Sequence, residues 1–183
     1  ALADCPSGSV MQIIAHPDDD LLFMSPDLPR SIAAGSCVRT VYLTAGDSGS
    51  AAYYWIGRML GAQAAYDTMT GVTKTWGFRT IRFSTGQYAT LASQQGNARI
   101  SLIFLNLPDG NIHGQGFPGK QFASLGSLYA RKVPTLHSVD GESSYSPEDL
   151  QAVLQELVGA FQPTELRIQS HAIQAYYADH SDH

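Results

Sequence analysis

The chain has 183 residues, enough for one sizeable core and too few for two comfortable domains. Apolar residues make up 44% and charged residues 15%, which is a globular composition and not a disordered one. A net charge of −5, with only 11 Lys and Arg scattered along the chain, argues against nucleic acid or an anionic membrane surface as partner. No apolar run is long enough to span a bilayer.

In chain order, Ala1-Leu2-Ala3 reads equally as the trimmed end of a signal peptide or as a plain chain end. Val10–Ala15 is a short apolar run and reads as a buried strand, closed by His16-Pro17 because proline cannot continue a central strand. Asp27–Gly35 reads as a helix, and Val38–Thr44 as a second, β-branched strand followed by the loop Ala45–Gly49. Tyr53–Thr70 carries Tyr54, Met59, Ala62, Tyr66 and Met69 at helical spacing and is stopped by Gly71-Val72. Arg79–Ser84 and Arg99–Leu107 read as strands, with Thr85–Asn97 as a polar link that allows them to pair as a hairpin. Pro108–Tyr145 reads mostly as loop, and a loop of that length is usually functional or disordered. Ser146 caps a helix that starts on Pro147, has Glu148-Asp149 in its first turn and runs to about Ala160; Glu165–Gln169 is a last strand. This alternation predicts an α/β fold, a Rossmann-like open, mostly parallel sheet with helices on both faces.

Cys5 and Cys37 each precede a predicted strand. If those strands are neighbours, a disulfide is feasible; two buried thiols fit equally. A bridge would make the protein secreted, and its absence would suit a soluble cytoplasmic one.

Two patterns carry chemistry. The run Ala15-His16-Pro17-Asp18-Asp19-Asp20 follows the first strand directly, at the carboxyl end where open α/β sheets bind ligands. Three adjacent carboxylates beside a buried strand repel one another unless a cation or hydrogen-bond donors neutralise them. Alone, the run is matched by a solvated acidic turn with an N-cap aspartate. His180-Ser181-Asp182-His183 offers two imidazoles three residues apart, and alone reads more readily as a surface pair at a chain end. Together they supply two His and one Asp, with an Asp and a His to spare, which is the pattern of a catalytic zinc site with an open position; the absence of thiolates excludes a soft metal.

With both motifs in place, the chain resembles the PIG-L/LmbE-like N-acetylglucosaminyl deacetylases over essentially its whole length. Leu43–Asp47, Arg58 and Leu107-Pro108-Asp109-Gly110 share in the resemblance. The Asp triplet and Leu21–Leu28 look closest to a subgroup that includes deacetylases of glycopeptide pseudoaglycones. The resemblance implies a zinc-dependent hydrolase (cofactor Zn2+) removing an N-acetyl or N-acyl group from an amino sugar or glycoconjugate, with water attacking the amide carbonyl. It implies His16, Asp19 and His183 as metal ligands, and Asp18 as general base. His180 would stabilise the oxyanion or protonate the leaving amine. Arg58, Asp109 and Asp47 fall where the substrate would be contacted, and Asp182 would orient a flanking imidazole. Members of the family continue past His-x-Asp-His, so residues 1–183 are expected to form a single deacetylase domain lacking a C-terminal portion. The alternative is a metal-containing glycan-binding module without turnover. A phosphatase would want a phosphate cradle that is absent, and Gly-x-Gly-x-x-Gly is also missing.

Among the remaining residues, His113 and His137 read as solvated loop histidines, and His171 as nearer the site. Tyr53, Tyr54, Trp55 and Trp76 read as a sugar platform or, for at least two of them, as core; Tyr176-Tyr177 read as rim.

Overall fold

The computed structural model describes residues 4–72, 75–170 and 179–183. Its centre is a six-stranded sheet of β1 (Ser9–Ile14), β2 (Cys37–Thr44), β3 (Trp76–Arg82), β4 (Tyr88–Gln94), β5 (Ile100–Leu107) and β8 (Glu165–Ile168), in the order β3-β4-β5-β2-β1-β8. The run β5-β2-β1-β8 is parallel, and β3 and β4 add an antiparallel edge. The expected mostly parallel α/β sheet is therefore what forms. Parallel central strands are buried on both faces, which is why β5 (ISLIFLNL) is apolar almost throughout and buried at every position.

Side-chain alternation divides the core in two. Met11, Val41, Ile103 and Leu105 point to one face, where α5 (Pro147–Phe161) packs with Leu150, Val153 and Leu157. Val10, Tyr42, Leu102 and Phe104 point to the other, under α2 (Asp27–Ala33) and the Met59, Ala62 and Tyr66 stripe of α3 (Ala52–Thr70). Each of these large apolar side chains contributes roughly 1.5–3 kcal/mol on burial. α5 starts as expected: Ser146 Oγ accepts from Asp149 N at 3.0 Å, and Asp149 Oδ2 accepts from Ser146 N at 3.0 Å, a closed capping box ahead of Pro147. Cys5 and Cys37 are disulfide-bonded, as the parallel neighbours β1 and β2 permit.

Four local expectations are corrected. Thr85–Asn97 is not a plain link, because it contains β4, which pairs with both β3 and β5, so the expected strands are separated by a third. The strand was hidden because YATLASQ is built from small residues, with Ala89, Leu91 and Ala92 turned inward. The acidic run does not remain a turn: Asp19 opens a short helix, α1 (Asp19–Phe23). The Pro108–Tyr145 stretch holds a 3-10 turn (Pro118–Lys120), α4 (Leu125–Tyr129) and a two-residue ladder of β6 (Leu136–His137) with β7 (Ser144–Tyr145). Tyr54, expected inward on α3, is 39% exposed. Among the described residues no helix is long and apolar enough to cross a membrane.

Candidate metal centre

Three neighbouring parallel strands, β1, β2 and β5, release their chain at the same sheet edge, so the segments after Ile14, Thr44 and Leu107 meet there. The exit from β1 is pinned by Thr44, whose N and Oγ1 both donate to Ala15 O, at 2.9 and 3.0 Å. A tight turn follows. The amides of Asp18 and Asp19 donate to His16 O at 2.8 and 3.2 Å, and His16 N donates to Asp19 Oδ2 at 2.7 Å. Pro17 has no N–H to satisfy, so the turn leaves no donor stranded.

The three aspartates go three ways. Asp19 is 3% exposed; its Oδ2 lies 3.3 Å from His16 Nδ1 and its Oδ1 3.5 Å from His183 Nε2. Asp18 makes no side-chain cap bond to α1 and instead accepts from Arg58 Nη2 at 2.6 Å. Asp20 is fully buried and accepts the hydroxyl hydrogens of Tyr42 and Tyr66, at 2.8 and 2.9 Å. Burial raises the Asp20 carboxyl above its usual range despite those two donors. The cost of three adjacent carboxylates is thus met separately, by an imidazole pair, a guanidinium and two phenols.

The second motif docks on the segment after β5. Ser181 Oγ donates to Asn111 O at 2.8 Å, and Gly110 N donates to Asp182 Oδ2 at 2.8 Å. A Cβ on Gly110 would sit 2.2 Å from Asp182 Oδ1, so only glycine lets the carboxylate approach. Asp182 Oδ2 also lies 3.3 Å from His16 Nε2 and 3.7 Å from His180 Nδ1. His180 Nε2 is 3.4 Å from Asp109 Oδ1, and His183 Nδ1 is 2.7 Å from Asp179 Oδ1. Asp47 is fully buried; its Oδ1 accepts from Asp109 N at 2.8 Å and its Oδ2 is 3.9 Å from Lys120 Nζ.

Burial alone would lower the pKa of His16, but the carboxylates of Asp182 and Asp19 prevail and hold it up at about 9. Burial favours the protonated form of Asp19, but its contacts with His16 and His183 prevail and leave its carboxyl far below the usual range. His183 is raised, first by Asp19. His180 is lowered, by burial and then by the His16 charge. Burial raises Asp47.

Donor atoms of His16, His180 and His183 lie within 4.8 Å of one another, and so do those of His16, Asp109, His180 and Asp182. Among the described residues His183 Nε2 and Asp182 Oδ1 are buried without a hydrogen-bond partner, which is costly unless a further group meets them. Imidazoles and carboxylates, with no thiolate, suit a borderline divalent ion such as zinc. The residues present fit a metal.

The fold therefore brings His16, Asp18, Asp19, Arg58, Asp109, His180, Asp182 and His183 to one edge, with Asp47 just beneath. It adds Asp179 and Lys120, which sequence reasoning missed; the spacing of Asp179, four residues before His183, was the available sign. Arg58, expected against substrate, is held on Asp18. Trp76 and Trp55 are half-buried and pack against the core, Trp76 donating Nε1 to Asp67 Oδ1 at 3.2 Å, while Tyr53 is 78% exposed. His113 and His137 are exposed. His171 and Tyr176-Tyr177 lie outside the described residues. A cavity of about 290 Å³ opens beside His183, walled by Phe23, Met24 and Ile168.

Comparison with curated proteins and with solved structures returns no match. The family model described as PIG-L, GlcNAc-PI de-N-acetylase, matches residues 11–183, and with the His/Asp cluster that its two motifs build, the chain belongs to that family of de-N-acetylases.

Proposed function

We propose that the chain is a zinc-dependent hydrolase that removes an N-acetyl group from an amino sugar, free or within a glycoconjugate. The observation that carries this reading is the gathering of three imidazoles with the Asp109 and Asp182 carboxylates, and of Asp19 against His16 and His183, beside Asp18, which no hydrogen bond of its own helix engages. His16, Asp19 and His183 would hold the ion. A bound zinc would polarise the amide carbonyl and bring the pKa of water to roughly 7.

The residues of the chain divide the remaining work. Asp18 takes a proton from the attacking water as its oxygen bonds to the carbonyl carbon. His180 faces the oxyanion that develops on the carbonyl oxygen; burial and the His16 charge lower its pKa, so that once protonated it is a strong acid and delivers its proton to nitrogen as the C–N bond breaks. Asp109, 3.4 Å from His180 Nε2, fixes the direction of that ring. Asp182 does the same for His16 from the other side, while held itself by Gly110 N. Acetate and the free amine leave. The Cys5–Cys37 disulfide supports an oxidising compartment, hence an exported protein.

The test is acetate release from N-acetylglucosamine and N-acetylated glycoconjugates by wild type and Asp18→Asn. A general base contributes about 10²–10⁴-fold, so the variant should lose that much while keeping its metal. Full activity in Asp18→Asn removes the assigned base. Glycan binding by calorimetry without acetate release would replace the enzyme by a binding module.

A further inference from the structure

The arginines are scattered in sequence, but two of them, Arg39 and Arg79, gather on one face of the sheet, away from the His/Asp cluster. Arg39 is the ladder partner of Ser101, Ser101 of Ser93, and Ser93 of Gly77, so these four form one rung pointing to one side. Arg79 stands on the next rung of that same side, opposite Leu91. α5 covers this face only as far as Arg39, whose guanidinium lies 4.5 Å over the Phe161 ring. Beyond it a cleft of about 760 Å³ remains, with Arg39 and Arg79 among its walls and Ser93 and Ser101 on its floor. Arg82 joins both arginines in an adjoining cavity of about 200 Å³. The cleft lies by the turn that enters β5, the end opposite to Asp109.

The chemistry of this cleft is one-sided. Among the described residues its walls carry no Asp or Glu. Arg39 donates Nε to Ser101 Oγ at 3.0 Å, which leaves both terminal nitrogens for another partner. Neither Arg39 nor Arg79 is in an ion pair among the described residues. A Cβ on Gly77 would meet Gln95 Nε2 at 2.1 Å, so the Gln95 amide lies across β3 in the cleft as a further donor. Glu156, in the adjoining cavity, accepts instead from Ser84 N and Oγ, at 2.9 and 2.7 Å. Burial and then the Arg79 charge push the Arg39 guanidinium below its usual range. Two guanidiniums sharing a partly desolvated cleft, with hydroxyl and amide donors and no carboxylate, lack their counter-charge. Their planar forks match a tetrahedral oxyanion.

We propose that this cleft is an anion site that takes the phosphate or sulfate group of a small molecule between Arg39 and Arg79. It does not depend on the deacetylase reading. The test is thermal unfolding of the full chain, dialysed against chelator, in sodium phosphate, sodium sulfate or sodium chloride at matched ionic strength. Phosphate and sulfate should raise the midpoint saturably, and chloride should not. If only one dianion acts, that group is the ligand. Arg79 is exposed and has no ion pair among the described residues, so Arg79→Gln should keep the wild-type midpoint in chloride and weaken dianion binding at least tenfold; Arg39→Gln should weaken it as much. The proposal is overturned if neither dianion acts, or if Arg79→Gln responds as wild type does, which would put the binding elsewhere, such as at the imidazoles.

Discussion

Replacing Arg58 by Ala separates two roles for that residue. The guanidinium donates Nη2 to Asp18 Oδ1 at 2.6 Å and lies so close to Gly46 that a Cβ there would be 2.9 Å from Cζ. Gly46 has φ +55, so a side chain there would be both strained and obstructive. The backbone thus leaves a berth for Arg58, and Arg58 aims Asp18. A hydrogen bond between charged groups contributes about 1.5–3 kcal/mol when well shielded. Here the side chains are 24% and 46% exposed, so about 1–2 kcal/mol is the reasonable share. That corresponds to a loss of about 5–30-fold, and if Arg58 aims the base it falls on kcat. The assay is acetate release at varied substrate concentration for wild type, Arg58→Ala, Asp18→Asn and the double variant. The expected result is a lower kcat with KM within about twofold, partial rescue by guanidinium ion, and little further loss when Arg58→Ala is added to Asp18→Asn. A raised KM with unchanged kcat, or losses that simply multiply, would refute the reasoning and return Arg58 to direct substrate contact.

Other consequences follow from the same contacts. Asp182→Asn preserves shape but removes the carboxylate facing His16 and His180; metal affinity, measured by competition with a chelator, should fall about 10–100-fold, and an unchanged affinity would deny Asp182 that role. Reducing the Cys5–Cys37 bond, which spans a separation of 32 residues, should cost about 3–4 kcal/mol and lower the melting midpoint by on the order of 10 °C; coincident melting curves with and without reductant would contradict it. Burial pushes the Tyr145 phenol, which donates to Tyr88 O at 3.0 Å, up to about 12. The folded state therefore keeps a proton that the unfolded state loses near pH 10, so this part of the stability is whole below pH 10 and is lost as pH rises through about 12. Urea unfolding between pH 9 and 12 should fall less steeply for Tyr145→Phe, by about 2–3 kcal/mol at the upper end; parallel profiles would sink the assignment.

What the sequence disclosed follows from distance along the chain. His16, Asp18 and Asp19 are legible because one tight turn after one strand brings them together, and contiguous residues need no tertiary information. His180 and His183 became a credible second half only when paired with that run. The links joining the halves were not legible. Arg58 reaches Asp18 across 40 residues, Gly110 reaches Asp182 across 72, and Asp20 finds its two phenols on β2 and α3. Strand β4 escaped because Ala, Thr and Ser give a weak period-two signal even where the strand is buried. The cysteines alone do not disclose the disulfide, because the adjacency of β1 and β2 is a property of topology, not of either cysteine's neighbours. The two arginines of the anion cleft are 40 residues apart in sequence and meet only through the order of four strands.

Metal content and metal-dependent acetate release, measured on wild type and His16→Ala, decide whether His16 helps hold a catalytic zinc. The zinc assignment predicts about one zinc per wild-type chain after dialysis, its loss in the variant, abolition of acetate release by chelator and recovery with stoichiometric zinc. Acetate release that survives complete removal of metal, or zinc bound equally well without His16, would contradict it.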